Sequence, residues 1–126
     1  MPVKIMRIED APIKTEGNLD PDRGKCFRLV DERDGARNVD VHLNLLNPGS
    51  RLGPRHIHKA AENVYIVLEG TVEVEVEGQS HRLRQGEVAF IPPGVPHAVG
   101  NAGDVPAKFI EIYAPAGKDY HPYPNN

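Results

Sequence analysis

The sequence predicts an all-β protein built as an antiparallel sandwich or barrel. Short apolar runs recur at intervals of about 10 residues, and 12 glycines and 12 prolines lie between them. No segment of 10 or more residues has a clean helical period. This combination is typical of a fold made of many short strands joined by turns. The strand-like runs are 25–30, 39–45, 56–62, 64–68, 71–77, 81–84, 86–91 and 108–114.

The chain of 126 residues suits one domain. Residues 1–24 have no clear period, although Val3 and Ile5 are compatible with one short strand. We interpret this stretch as an arm or edge strand that contacts a second subunit, or as a loosely ordered terminus. Residues 25–115 are expected to form the β-barrel, and residues 116–126 an irregular tail.

The run 39–45 alternates cleanly between apolar and polar residues, so one of its faces is expected to be buried. In a barrel with a polar pocket, the polar face could instead be the inner one. His42 is therefore either a pocket residue or a surface residue, and the surface position is favoured. The polar set is Asp40, His42 and Asn44, and the apolar set is Val39, Val41, Leu43 and Leu45.

The next runs follow the same logic. The run 64–68 is nearly all apolar, which is typical of a strand buried on both faces. In the run 71–77, three valines alternate with three glutamates after Thr71, so we expect the valines inside and the glutamates in water. His81 lies beside a hairpin turn and is expected to be exposed.

The rigid turn at 92–96, with proline and glycine, is expected to hold His97 in a fixed place.

Bulk properties exclude several classes of function. The formal net charge is -3, with 15 basic and 18 acidic residues and no basic cluster suited to a phosphate backbone, so nucleic acid is not an expected partner. No apolar run approaches the ~20 residues that cross a bilayer, so no membrane association is expected. Cys26 is the only cysteine and cannot form an internal disulfide, which favours a cytoplasmic location.

The stretch 56–62 contains two histidines at strand spacing. In an extended strand, His56 and His58 point to the same face, and Glu62 shares that parity if no bulge intervenes. Two imidazoles and a carboxylate are part of a metal site. The alternative is that two histidines merely occupy a solvated strand face. His97 favours the metal site over this alternative, because it adds a third imidazole on a second element that also combines a glycine, a strand and a turn with a histidine.

Both elements carry motifs of the cupin family, and the chain resembles that family over residues 39–115. The second motif of the family matches at every spacing: Gly86, Pro92, Gly94, His97 and Asn101. In the first motif His56, His58 and Glu62 match, but both flanking glycines lie one residue further away than in the family. The glycine after the motif, Gly70, lies seven residues past Glu62 instead of six. This extra residue indicates either a bulge after Glu62 or that Asn63 occupies the glutamate position.

The resemblance implies a small double-stranded β-helix, or jelly-roll barrel, that holds one divalent metal ion. It implies His56, His58, Glu62 and His97 as ligands. Imidazole suits Fe, Mn, Ni, Cu and Zn, and open coordination positions would accept a chelating substrate. Asn101 is expected to close a turn through hydrogen bonds.

The leading hypothesis is a metal-dependent enzyme acting on a small oxygen-rich molecule, of the dioxygenase, isomerase or decarboxylase type. The alternative is a non-catalytic module that binds or senses a small-molecule ligand. An acid or base beyond the metal ligands would favour the enzyme. No catalytic residue is identified from the sequence. The resemblance also implies a homodimer.

Overall fold

The strands pair into two five-stranded antiparallel sheets in the computed structural model, which describes residues 3–14, 20–117 and 119–124. The strand order is β1-β2-β9-β4-β7 in the first sheet and β10-β3-β8-β5-β6 in the second. The all-β prediction is confirmed. The strands are β1 (Gly24–Val30), β2 (Asp40–Leu46), β3 (His56–Ile57), β4 (Glu62–Glu69), β5 (Thr71–Val76), β6 (Gln79–Arg84), β7 (Val88–Ile91), β8 (His97–Gly100), β9 (Ala107–Ala114) and β10 (His121–Pro122).

The helical content of the described residues is two short 3-10 helices, Ile8–Asp10 and Glu32–Asp34. Among these same residues, no helix is long and apolar enough to span a bilayer.

The hydrophobic core lies between the two sheets and takes residues from both. On β5, Val72 and Val74 are buried as the alternation predicts. Glu75 was expected to lie in water but is buried. Its carboxylate forms an ion pair of 2.9 Å with Arg55. On β4, the face that carries Tyr65 belongs to the core. The buried core residues are Leu46, Tyr65, Val67, Val72, Val74, Leu83, Ile91, Ala107 and Phe109.

The two ends of the chain differ from expectation. Near the N-terminus the short strand at Val3 and Ile5 is not formed, and both side chains are exposed. The arm contacts β1 of its own barrel through a bridge between Ile13 and Phe27, and its contact with a second subunit stays a prediction. At the C-terminus, β10 pairs with β3 where an irregular tail was expected. Residues 1, 2 and 15–19 of the predicted arm, and 118, 125 and 126 of the predicted tail, lie outside the described residues.

Candidate metal centre

Three histidines converge where β3 meets β8, and we call them the histidine cluster. His56 lies on β3, His58 follows it, and His97 opens β8. His56 and His97 are direct cross-strand partners, so the pairing of the two short strands brings the two motifs together. One candidate ligand atom from each residue lies within 4.8 Å of the others. The structure thus brings together three of the four metal ligands that the sequence indicates.

The turn before β8 is tied to the first motif. The backbone N–H of Gly94 donates to the carbonyl of His58 at 2.7 Å. Gly94 has φ +80°, a left-handed conformation that residues with a Cβ adopt only with strain. The glycine of the second motif therefore permits the turn that sets His97 against His58.

Asn101 closes the end of β8, as expected, and is fully buried. Its Nδ2 donates to the carbonyls of Leu46, Asn47 and Val105 at 3.2, 3.2 and 2.8 Å. Its Oδ1 accepts from the backbone N–H of Gly103. Asn101 therefore has a structural role and is not available as a ligand.

Each histidine of the cluster is oriented by a backbone carbonyl. The Nδ1 atoms of His56 and His97 lie 2.9 Å from the carbonyls of Pro54 and Val95, and that of His58 lies 2.5 Å from the carbonyl of Asp119. Because a carbonyl only accepts, each Nδ1 must carry the proton, which leaves the Nε2 lone pair free. Carbonyls that hold the other ring nitrogen in this way are typical of metal-binding histidines.

The unpartnered atoms of the cluster fit a metal. The Nε2 atoms of His58 and His97 are buried and have no hydrogen-bond partner among the described residues. A buried nitrogen left in this state is costly unless something binds it. Burial lowers the pKa of His56 to about 4 and also lowers that of His97, so both rings are neutral at pH 7. Neutral imidazole is the form that binds metal.

Glu62 does not join the cluster. The backbone leaves the extended conformation after β3 and resumes it only at Glu62, so the parity that linked His58 to Glu62 is lost. Glu62 is exposed, whereas Asn63 beside it is fully buried. The Oδ1 of Asn63 is a buried atom without a hydrogen-bond partner among the described residues. Asn63 therefore occupies the inward position that was expected for Glu62. This is the alternative that the spacing of Gly70 indicated.

A buried carboxylate lies beside the histidine cluster. Glu111 on β9 accepts hydrogen bonds from His42 Nε2 (3.0 Å), Asn44 Nδ2 (2.9 Å) and Asn63 Nδ2 (3.2 Å). The phenols of Tyr65 and Tyr113 also interact with its charge. We call Glu111 and these five partners the carboxylate network.

The two tyrosines connect the network to the cluster. The Tyr113 ring centroid lies 4.7 Å from that of His58, and the Tyr65 centroid lies 6.3 Å from that of His97. Burial and the negative charge of Glu111 raise the pKa of both phenols well above the usual value. Both hydroxyls are therefore neutral donors at physiological pH.

His42 is an inward residue, which corrects the favoured surface position. Its side chain is 7% exposed, and its two ring nitrogens face the carboxylates of Asp40 and Glu111. Burial lowers the pKa of His42, but these hydrogen bonds outweigh it and raise the pKa to about 9. Burial raises the pKa of Glu111, but the hydrogen bond and charge of His42 dominate and hold it well below the usual range. The pair is an imidazolium and a carboxylate at pH 7.

The C-terminal segment, residues 119–124, lies along β3 and contacts the cluster. Tyr120 stacks on His56 with ring centroids 4.4 Å apart and an interplanar angle of 25°. The Asp119 carboxylate accepts from the backbone N–H groups of residues 59, 60 and 61. Burial raises the pKa of Asp119, but these bonds and one from His121 outweigh it and lower the pKa to about 2.

Several of these residues were missed from the sequence. Glu111 lies in a strand-like run between two isoleucines, a pattern that is typical of a glutamate exposed to solvent. Asp119 and Tyr120 lie in a stretch with no period or motif. The one available signal was the polar face of β2, on which His42 and Asn44 share a parity.

A comparison with protein-family models matches residues 43–113 to the Cupin_2 model, described as a cupin domain. The matched range covers more than half of the chain and includes the histidine cluster, Asn63 and Glu111. It ends before the C-terminal segment.

Curated relatives match over parts of their length. Mannose-1-phosphate guanylyltransferase RfbM of Salmonella typhimurium is 37% identical over 79 residues, which cover 63% of this chain and 16% of that protein. Polyketide synthase CurC of Streptomyces cyaneus is 31% identical over 81 residues, or 64% of this chain and 52% of that protein. The chain thus spans about half or less of the curated relatives it matches.

Solved structures share the fold over nearly the whole chain. The polyketide cyclase RemF from Streptomyces resistomycificus has a TM-score of 0.82 and 21% identity, covering 98% of this chain and 87% of that one. A predicted oxalate decarboxylase from Thermotoga maritima has a TM-score of 0.74 and 20% identity, covering 88% and 98%. At these identities the likeness concerns the fold alone.

Proposed function

This chain belongs to the cupin family, and from that premise we propose that it is a divalent-metal-dependent enzyme acting on a small oxygen-rich molecule. The observation that carries the proposal is the histidine cluster. Its three rings share one arrangement, with Nδ1 donating to a backbone carbonyl and the candidate ligand atoms within 4.8 Å of one another. Two of the Nε2 atoms are buried and otherwise unpartnered among the described residues.

The protein would hold the ion through His56, His58 and His97. A fourth donor from the chain would be the Oδ1 of Asn63 rather than the carboxylate of Glu62. Asn63 pairs across the sheet with Tyr113, whose ring packs on His58. The chemistry supplied by a bound divalent ion is polarisation and templating of adjacent substrate oxygens. Imidazole-rich sites of this kind suit Fe, Mn, Ni, Cu or Zn.

The carboxylate network favours an enzyme over a binding or sensing module. A simple metal-assisted binding site needs no acid or base beyond the ligands, whereas here a buried ion pair of His42 and Glu111 lies next to the cluster. The phenols of Tyr65 and Tyr113 interact with the charge of Glu111, and their rings lie near His58 and His97. These neutral phenols would donate a proton to a substrate oxygen, and the ion pair of Glu111 with protonated His42 would fix the charge beside them.

The reaction types compatible with this site are dioxygenation, isomerisation and decarboxylation. The names of the similar proteins include a polyketide cyclase, a polyketide synthase and a predicted oxalate decarboxylase, which supports an oxygen-rich substrate. They do not select one reaction, because one fold hosts many chemistries. A compound with adjacent carbonyl or hydroxyl groups is therefore the first substrate class to test.

The first test is metal content measured by mass spectrometry on the purified protein. We expect near one equivalent of one of these ions, loss of most of it in His58→Ala, and retention in His81→Ala, whose histidine is exposed on β6. A content near zero after reconstitution with each ion in turn would overturn the metal site.

The second test separates the enzyme from the binding module. The metal-loaded protein is incubated with a 1,3-diketone, a hydroxy-ketone and a catechol, and consumption is followed by chromatography. Turnover of one compound supports the enzyme, and turnover lost in Tyr113→Phe with metal content retained supports the phenol as proton donor. Saturable binding of a compound without turnover would instead favour a sensing module.

We also propose a homodimer and a cytoplasmic location. Exposed apolar side chains support the dimer: Val3 and Ile5 on the arm are 84% and 92% exposed, and Val88 and Phe90 on edge strand β7 are 61% and 54% exposed. Light scattering that gives the mass of a monomer would remove the dimer. The single cysteine supports the location, which fractionation of cells tests.

A further inference from the structure

We propose that Asp119 is a positioning residue for the histidine cluster and that the C-terminal segment completes the metal site. This inference rests on the metal binding proposed above. The segment lies beyond the matched range 43–113, so the family match assigns it no role.

Asp119 holds the first motif through both its main chain and its side chain. Its carbonyl accepts from Nδ1 of His58 and thereby sets the tautomer and the ring direction of that ligand. Its Oδ1 accepts from the N–H of Lys59, and its Oδ2 from the N–H groups of Ala60 and Ala61, at 2.7–2.9 Å. One residue therefore fixes a candidate ligand together with the three residues that follow it.

The residues that follow Asp119 contact the cluster at His56 and run along β3. Tyr120 stacks on His56. β10 pairs with β3, with Pro122 opposite His56, and the N–H of Tyr123 donates to the carbonyl of Arg55. The segment thus contacts two of the three histidines and runs along the strand that carries them.

These contacts imply that metal binding and docking of the C-terminal segment are coupled. A loosened segment would free the His58 ring to rotate, and part of the binding energy would then be spent on ordering it. Coupling of this kind is reciprocal, so a bound metal must also stabilise the docked segment. Loss of a group that orients a metal ligand typically weakens metal affinity about 10–100-fold.

The test compares Asp119→Ala, Asp119→Asn and the control Asp104→Ala, which removes an exposed carboxylate in the bend at residues 103–105. Affinity for Co²⁺ is measured by competition with a chelator, and the visible Co²⁺ spectrum reports the ligand geometry. Asp119→Ala keeps the main-chain carbonyl but removes the carboxylate that holds the segment against residues 59–61. We therefore expect the carbonyl to move away from His58, with about 10–100-fold weaker binding and an altered spectrum. Asp119→Asn should be intermediate because it keeps one acceptor oxygen, and Asp104→Ala should match wild type.

A second measurement uses the metal-free protein. Nitrogen NMR of the imidazoles should show His58 in the Nδ1–H tautomer in wild type, and a mixture of tautomers in Asp119→Ala. A third measurement compares hydrogen exchange with and without Co²⁺. Co²⁺ should slow the exchange of the amide hydrogens of residues 59–61 in wild type but not in Asp119→Ala.

The outcomes separate the two proposals. If Co²⁺ binds Asp119→Ala as tightly as wild type, the positioning role is wrong and the metal site stands. If wild type binds no Co²⁺, the metal site fails, and the tautomer measurement still decides the role of Asp119. An unchanged His58 tautomer in Asp119→Ala would then overturn it.

Discussion

His42 Nε2 lies 3.0 Å from Glu111 Oε1, and this pair links two neighbouring strands inside the barrel. Both side chains are less than 10% exposed. Removing one partner of a buried ion pair leaves an uncompensated charge and typically costs about 3–5 kcal/mol. We therefore expect His42→Ala to lower the free energy of unfolding by that amount in urea titrations. The control His81→Ala should stay within about 0.5 kcal/mol of wild type, and equal stability of the two variants would argue against the pair.

The same pair predicts a pH dependence of stability. The pKa of His42 is about 9 in the folded protein, against 6.5 for the ordinary group, so folding binds a proton between these values. The stabilisation by protonated His42 is full below pH 6.5 and is lost as the pH rises through 9. The stability difference between wild type and His42→Ala should therefore shrink over this window. Urea titrations at pH 6, 7.5 and 9 measure it, and a difference that grows with pH would contradict the assignment.

The change of parity after His58 predicts which residue affects the metal. Because Glu62 is exposed, Glu62→Ala should leave metal content and affinity unchanged. Asn63→Ala removes a buried oxygen and should weaken metal affinity. Chelator competition on both variants decides between the two positions. Loss of metal in Glu62→Ala, with none in Asn63→Ala, would restore the carboxylate as the fourth ligand.

Two glycines in the left-handed region provide a matched test of packing between the strands. A Cβ on Gly70 would lie 2.5 Å from the carbonyl oxygen of Pro106, whereas one on Gly78 would meet nothing within 4 Å. Both have positive φ, so each alanine substitution costs about 1–2 kcal/mol for the backbone conformation. Gly70→Ala should cost more than Gly78→Ala in thermal unfolding, and equal costs would show that the backbone near Pro106 gives way.

Local patterns predicted the strands and the turns well. Alternation placed Val72 and Val74 inside, and the spacing of the second motif identified His97 and assigned Asn101 to a turn. These features depend on side-chain periodicity and on the turn preferences of proline and glycine, which act over a few residues.

Other features depended on partners that are distant in the chain. Alternation divides β2 into two faces but does not say which face points inward. The polar face points inward because His42 meets Glu111, 69 positions away. The end of β3 likewise depends on Asp119, whose carbonyl is bound by His58, 61 positions away.

Strand alternation and motif spacing are local properties of the chain, so the fold class and the three histidines of the cluster could be predicted from the residues alone. The inward position of Asn63 in place of Glu62, and the contact of Asp119 with His58, became visible only in the folded chain. A strand keeps its parity only while it stays extended, and the break after β3 is held by hydrogen bonds to Asp119, which is distant in sequence.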